Sequence, residues 1–169
     1  MEVCQTERLK IRHLSEGDSE FILKLLNEKS FIENIGDKEV RNIDDAINYL
    51  QNGPISSYKK FGYGLNILTL KNSNTPIGMC GLLKRDELEH PDLGYALLPE
   101  YCSKGYAQEA SLSVLIDVNK KHNINIVSAI TAPENTNSNS LLKKLGFSFK
   151  GSIELYGFED NLYEYRFCE

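Results

Sequence analysis

The residues best suited to chemistry fall in two segments. The first runs Gly94-Tyr95-Ala96-Leu97-Leu98-Pro99-Glu100-Tyr101-Cys102-Ser103-Lys104-Gly105-Tyr106-Ala107-Gln108-Glu109-Ala110. It reads as a strand, a tight turn and a helix, with Ser103-Lys104-Gly105-Tyr106-Ala107 at the helix start. The first turn of a helix carries unpaired N–H donors and the positive end of the helix dipole, which together attract anions. Gly105 lets a ligand approach the backbone closely, the small Ala107 does nearly the same, and Lys104 adds a positive charge. The chemistry indicated is the binding of a phosphate or pyrophosphate. A plainer reading keeps Gly105 as an ordinary turn glycine. The segment is neither a P-loop nor a dinucleotide fingerprint, because it contains neither G-x-x-x-x-G-K-[ST] nor G-x-G-x-x-G.

The second segment is Pro133-Glu134-Asn135-Thr136-Asn137-Ser138-Asn139-Ser140-Leu141-Leu142-Lys143-Lys144-Leu145-Gly146-Phe147. Asn135 ends a strand and caps a helix, Leu141, Leu142 and Leu145 form the buried face, and Gly146 stops the helix. Taken alone, Asn135 is a plain cap and Ser138 a solvated residue of the first turn.

Together the two segments resemble the GCN5-related N-acetyltransferase (GNAT) superfamily, and within it the ribosomal-protein N-terminal (RimJ/RimL-like) acetyltransferase branch. That family carries a pattern close to [RQ]-x-x-G-x-[GA], which reads here Cys102-Ser103-Lys104-Gly105-Tyr106-Ala107. The branch pattern N-x-x-S-x-x-L-x-K-L-G-F is matched at Asn135, Ser138, Leu141, Lys144, Leu145, Gly146 and Phe147. Thr6-Glu7-Arg8-Leu9 and Leu93-Gly94-Tyr95 also look like that branch, so the resemblance covers nearly the whole chain. Cys102 departs from the usual Arg or Gln, although backbone donors supply most of an anion nest. A thiol at that place is either somewhat acidified by the helix or an inert loop residue.

The resemblance implies acetyl-CoA as cosubstrate, no metal, and a primary amine as acceptor. The foremost acceptor is the N-terminal amine of a protein or peptide. A small amine (amino acid, polyamine or aminoglycoside) is the alternative, and a CoA-binding module without turnover is a further one. Leu97 and Leu98 are expected to offer backbone groups to the pantetheine arm and to the oxyanion of acyl transfer. Ser103, Lys104, Gly105, Tyr106, Ala107 and Gln108 would hold the pyrophosphate, and the Asn135 side chain would meet the pantetheine amide. An alkylamine with a pKa of about 10.4 is mostly protonated at neutral pH, so a base is required. Asp92, two residues before Gly94, is the first candidate; the alternative is a strand-edge carboxylate on the surface. Ser138 is the candidate donor to the departing thiolate. Glu100 and His90 read as surface residues, and no Cys–His pair suggests a covalent acetyl-enzyme. Glu33, Asp37 and Glu39 lie in loops on the expected acceptor side, where they either draw a cationic amine or are merely solvated.

The elements that must position these residues follow from periodicity. Leu9 to Leu14 alternates as a half-buried strand, and Ser15 to Asp18 has capping-box spacing ahead of a helix carrying Phe21, Ile22, Leu25 and Leu26. A short helix follows over Ile43 to Leu50, with Gly53-Pro54 as its stop. Strands are expected over Gly64–Leu70, Pro76–Leu83 and Asp92–Leu98, then a long helix to about Lys120. Next come a β-branched strand over Ile124–Ile130, a helix over Asn135–Leu145, and strands over Phe147–Leu155 and Leu162–Phe167. The order β-α-α-β-β-β-α-β-α-β-β defines an α/β (α+β) fold. Its expected core is a mixed, mostly antiparallel sheet of about six to seven strands with helices on both faces.

The 169 residues are expected to form a single domain. A net charge of −5 argues against nucleic acid as a partner. No apolar run spans a bilayer, and the first residues lack a signal peptide, so a cytoplasmic protein without membrane attachment is expected, as monomer or homodimer. The four cysteines are scattered without zinc spacing and are expected to be reduced.

Overall fold

The computed structural model describes residues 1–168. Its frame is one eight-stranded sheet in the order β1-β2-β3-β4-β5-β6-β8-β7. The strands are β1 Glu2–Gln5, β2 Leu9–His13, β3 Leu65–Leu70, β4 Pro76–Leu83, β5 Asp92–Leu97, β6 Ile126–Thr131, β7 Ser148–Leu155 and β8 Phe158–Arg166. Every neighbouring pair is antiparallel except β5 and β6. The additional strand is β1, whose four residues are at most half-buried, so no alternating pattern marks it. It is held as an edge by pairing with β2.

Alternation along the strands divides the core into two layers. Leu9, Ile11, Leu68, Leu82, Leu93, Val127 and Ala129 face helices α5 (Tyr106–His122) and α6 (Thr136–Leu145), which add Ala110, Val114, Val118, Leu142 and Leu145. On the opposite face, Leu65, Ile67, Met79 and Leu98 meet α1 (Ser19–Leu26), α2 (Lys29–Asn34) and α3 (Ile43–Leu50). Burying such side chains, each worth roughly 1.5–3 kcal/mol, is what holds helices this short.

Asp18 starts the first helical run by accepting from the Ser15 N–H at 2.9 Å and pairing with Arg12 at 2.8 Å. Those contacts outweigh the cost of its burial and hold its carboxyl below the ordinary value. The path after α3 differs from expectation. The chain does not stop at Gly53-Pro54 but passes through a wide π turn, Gln51–Ile55, into α4 (Ser56–Phe61). The wider hydrogen-bond spacing of a π turn accommodates the proline ring, and Pro54 is buried there.

Candidate active site

The parallel pair β5–β6 is joined at a single register position, Asp92 opposite Ser128, where the Ser128 N–H donates to the Pro91 carbonyl at 2.9 Å. Beyond it the two strands diverge. β4 continues to pair with β5 as far as Gly78 opposite Leu97. The Leu98 N–H donates to Ile77 at 2.9 Å. Peptide groups alternate in an antiparallel ladder, so Tyr95 and Leu97 turn theirs into the gap. Leu97 thus turns its backbone groups into the gap, whereas the Leu98 N–H is taken by β4, because the two residues have opposite parity.

The loop after β5 contains a short 3₁₀ turn, Pro99–Tyr101, followed by exposed Cys102, Ser103, Lys104 and Gly105. Ser103 has φ 59° and Gly105 φ 83°, two left-handed residues around Lys104. Among the described residues nothing accepts from the N–H groups of Ser103 to Gln108; the next amide, Glu109, bonds the Gly105 carbonyl at 3.0 Å. Six consecutive free donors at the start of a 17-residue helix form an anion nest. The ring of Tyr101 lies 5.7 Å from the Lys104 ammonium. Burial, then Glu100, pushes the Cys102 thiol up rather than down, which favours the inert reading of that residue.

Sequence reasoning missed what anchors this nest. Glu109, in the first turn of α5, accepts from Thr6 Oγ1 at 2.5 Å and from the Arg8 N–H at 2.9 Å. It also pairs with Arg8 Nε at 2.7 Å. Arg8 Nη1 donates to the Lys104 carbonyl at 2.9 Å, and its guanidinium lies 4.2 Å from the centre of the Tyr106 ring. A side chain at position 105 would come within 3.2 Å of Arg8 Nη2. The Thr6-Glu7-Arg8-Leu9 motif carried a signal of this tie, but nothing in it named Glu109 as the partner.

Across the gap, α6 begins just after β6. Asn135 Oδ1 accepts from the Ser138 N–H at 3.1 Å, so its oxygen is the helix cap. Its side-chain NH2 has no acceptor among the described residues and remains available as a donor. Ser138 Oγ lies 2.6 Å from the hydroxyl of Tyr95 on β5, a bond that spans the two sides of the gap. Burial raises the Tyr95 hydroxyl to about 12. Asn139 pins the turn: its Nδ2 donates to the carbonyls of Ala132 (3.0 Å) and Asn135 (2.8 Å). Its Oδ1 accepts from Tyr163 (2.6 Å) and Asn161 (2.9 Å).

Asp92 is 1% exposed, not a surface carboxylate. Both its oxygens lie 3.1 Å from Arg85 Nε. Burial pushes its carboxyl above the ordinary value, and Arg85 offsets that only in part. By strand parity Asp92 shares its face with Ala96 and Leu98, the face of α1 to α3, while Tyr95 faces α5 and α6. The β7–β8 turn reaches the same region: the Tyr156 ring centre lies 6.0 Å from the Arg85 guanidinium, and its hydroxyl donates to Glu87 at 3.2 Å.

The other candidates meet partners of their own. Glu100 is exposed and 3.7 Å from Lys24. His90 lies 3.8 Å from Glu89. Glu33 pairs with Lys29 and Asp37 with Arg41, so neither is a free charge. Among the described residues no group of three or more His, Cys, Asp and Glu is placed to hold a metal ion, and no helix is long and apolar enough to cross a membrane.

The sheet is thus mixed and opened between its two parallel strands, with six free amides past one strand and a capped helix past the other. The chain matches the family described as acetyltransferase (GNAT) domain over residues 8–148 and belongs to it. It is therefore an acetyltransferase of the GNAT family. The uncharacterized N-acetyltransferase YoaA of Bacillus subtilis (strain 168) is 24% identical over 160 residues, covering 94% of this chain and 89% of YoaA. The ribosomal-protein-S5-alanine acetyltransferase of Vibrio fischeri superposes with a TM-score of 0.82 at 18% identity, over 98% of this chain and 96% of that one. The microcin C7 self-immunity acetyltransferase MccE, solved with acetyl-CoA and AMP, gives a TM-score of 0.80 at 17% identity, over 95% and 93%. At such identities the two structures establish likeness of fold.

Proposed function

We propose that the chain transfers an acetyl group from acetyl-CoA to a primary amine, foremost the N-terminal amine of a protein or peptide. The observation that carries this reading is the opened β5–β6 pair, with free donors beyond both strands at residues 103–108 and 135. The likeness to a ribosomal-protein acetyltransferase supports the choice of acceptor, and the likeness to a chain solved with acetyl-CoA supports the cosubstrate.

The residues present fit that cosubstrate. The amides of Ser103, Lys104, Gly105, Tyr106, Ala107 and Gln108 would hold the diphosphate, with the Lys104 ammonium beside them. The Asn135 side-chain NH2 would donate to a pantetheine carbonyl, and Leu97 would extend β5 toward the arm. Leu98 contributes through packing, since its N–H is engaged. When bound, acetyl-CoA supplies an acyl group activated as a thioester.

The chain's own residues then do four things. They align two reactants, which by itself removes much of the entropic barrier. Asp92 takes the proton released by the attacking nitrogen, through a bridging water. The Leu97 N–H stabilises the developing oxyanion. As the C–S bond breaks, its electron pair stays on sulfur. The Ser138 hydroxyl gives its proton there and recovers one from solvent, which balances the proton lost by nitrogen.

The test combines calorimetry with acetyl-CoA and thiol release with panels of N-terminal peptides and small amines. Heat on titration together with peptide-dependent release is expected. Turnover of small amines alone would transfer the assignment to a small-molecule acceptor. Binding without any acceptor-dependent release would leave a CoA-binding module.

A further inference from the structure

Ser138 is held by two contacts, and only one of them has a fixed direction. Its N–H donates to the cap oxygen of Asn135. Its hydroxyl meets only the hydroxyl of Tyr95, at 2.6 Å, among the described residues. Each hydroxyl has one proton, so one donates and the other accepts. The two environments decide which. Tyr95 sits in the layer between the sheet and helices α5 and α6, beside Cys80 and Tyr163. No other acceptor is within reach of its hydroxyl among the described residues, and a half-buried phenol, the stronger donor and weaker acceptor of the two hydroxyls, loses its only partner unless it donates. Ser138 stands half-buried in the first turn of α6, across the gap from β5. With Tyr95 as the donor, the serine proton is left to point into the gap.

We propose that Tyr95 is a positioning residue. Its hydroxyl fixes the rotamer of Ser138 and aims the serine O–H at the sulfur of the bound thioester. The inference rests on the acetyl-transfer reading and adds to it a residue that touches neither reactant. A serine oxygen that accepts a hydrogen bond is also a stronger donor through its own proton, because the two bonds polarise each other. Burial keeps the Tyr95 hydroxyl protonated through the neutral range, so its proton is present throughout turnover.

Tyr95→Phe removes the hydroxyl while keeping the ring that packs in the layer. The first measurement needs no turnover. CoA is bound and its thiolate absorbance is followed with pH in wild type, Tyr95→Phe and Ser138→Ala. A serine donor aimed at sulfur lowers the thiol pKa of bound CoA. Ser138→Ala should raise it, and Tyr95→Phe should move it most of the way to the Ser138→Ala value. The second measurement is a double-mutant cycle on kcat. Tyr95→Phe should lower kcat about tenfold with acetyl-CoA affinity within about twofold, the scale of one hydrogen bond. The same change in a Ser138→Ala background should do nothing further. A full additional loss in the double variant, an unshifted thiol titration in Tyr95→Phe, or a parallel loss of affinity would overturn the proposal. If the wild type releases no thiol with any acceptor, the acetyl-transfer reading has failed instead. If Ser138→Ala alone matches wild type, the serine role has failed, and this inference with it.

Discussion

Asp92 combines deep burial with a cation in contact. Burial favours the neutral acid, and Arg85 favours the carboxylate. The balance leaves a carboxyl that takes up protons more readily than an exposed one, which suits a base. Asp92→Asn is expected to lower kcat about 100-fold while acetyl-CoA affinity, read by calorimetry, stays within twofold. It should also cost about 1–3 kcal/mol of stability, less than for a fully buried pair because the Arg85 side chain keeps 26% exposure. Gly105 carries a different constraint. Its φ of 83° strains any L side chain, and a Cβ would press on Arg8. Gly105→Ala should lower stability by about 1–2 kcal/mol in urea melts. Gly105→Asp should abolish measurable acetyl-CoA affinity by placing negative charge in the proposed diphosphate nest; normal affinity would displace the site. Position 105 was legible from its type alone. The burial of Asp92 was not, since Arg85 lies seven residues upstream across an irregular connection.

At the scale of elements, α6 shows how a short polar helix is made rigid enough to hold a ligand group. Its hydrophobic face is modest, and Leu142 and Leu145 alone would anchor only the C-terminal half. Asn139 secures the other half by bonding the turn before the helix and two residues of β8 at once. Asn139→Ala should cost about 2–4 kcal/mol in denaturant unfolding, because it orphans a Tyr163 hydroxyl in a residue only 2% exposed. Acetyl-CoA affinity should fall with it as Asn135 loses its fixed place. Unchanged stability would mean that the turn holds itself. The helix boundaries of α3, α5 and α6 were readable from caps and periodicity, and Gly146 closes α6 at φ 98° as its position suggests. β1, α2 and α4 were not readable. Each is six residues or fewer, so tertiary contacts rather than pattern support them.

Across the whole molecule, Glu109 joins the connection between β1 and β2 to the start of α5, about 100 residues away in sequence. Burial raises its carboxyl, but the bonds from Thr6 and Arg8 outweigh that and hold it below its ordinary value. A depressed folded value contributes stability that is present above the unfolded pKa and lost as the pH falls through the folded one. Thermal melts should therefore show a loss of stability below about pH 4.5, the ordinary value for this group. Glu109→Gln should show a smaller loss across that window and a lower melting temperature at pH 7. A parallel pH profile in the variant would assign the acid sensitivity to Asp18 and other carboxylates. The sequence by itself determined the alternating strands, the helix starts at Gly105 and Asn135 and the family they resemble, because caps, glycines and periodicity are local in the chain. The opening between β5 and β6, the parity that separates Leu97 from Leu98, the Arg85–Asp92 pair and the Tyr95–Ser138 bond were decided only by the tertiary structure. Each depends on which distant segments pack side by side, and no local spacing encodes that.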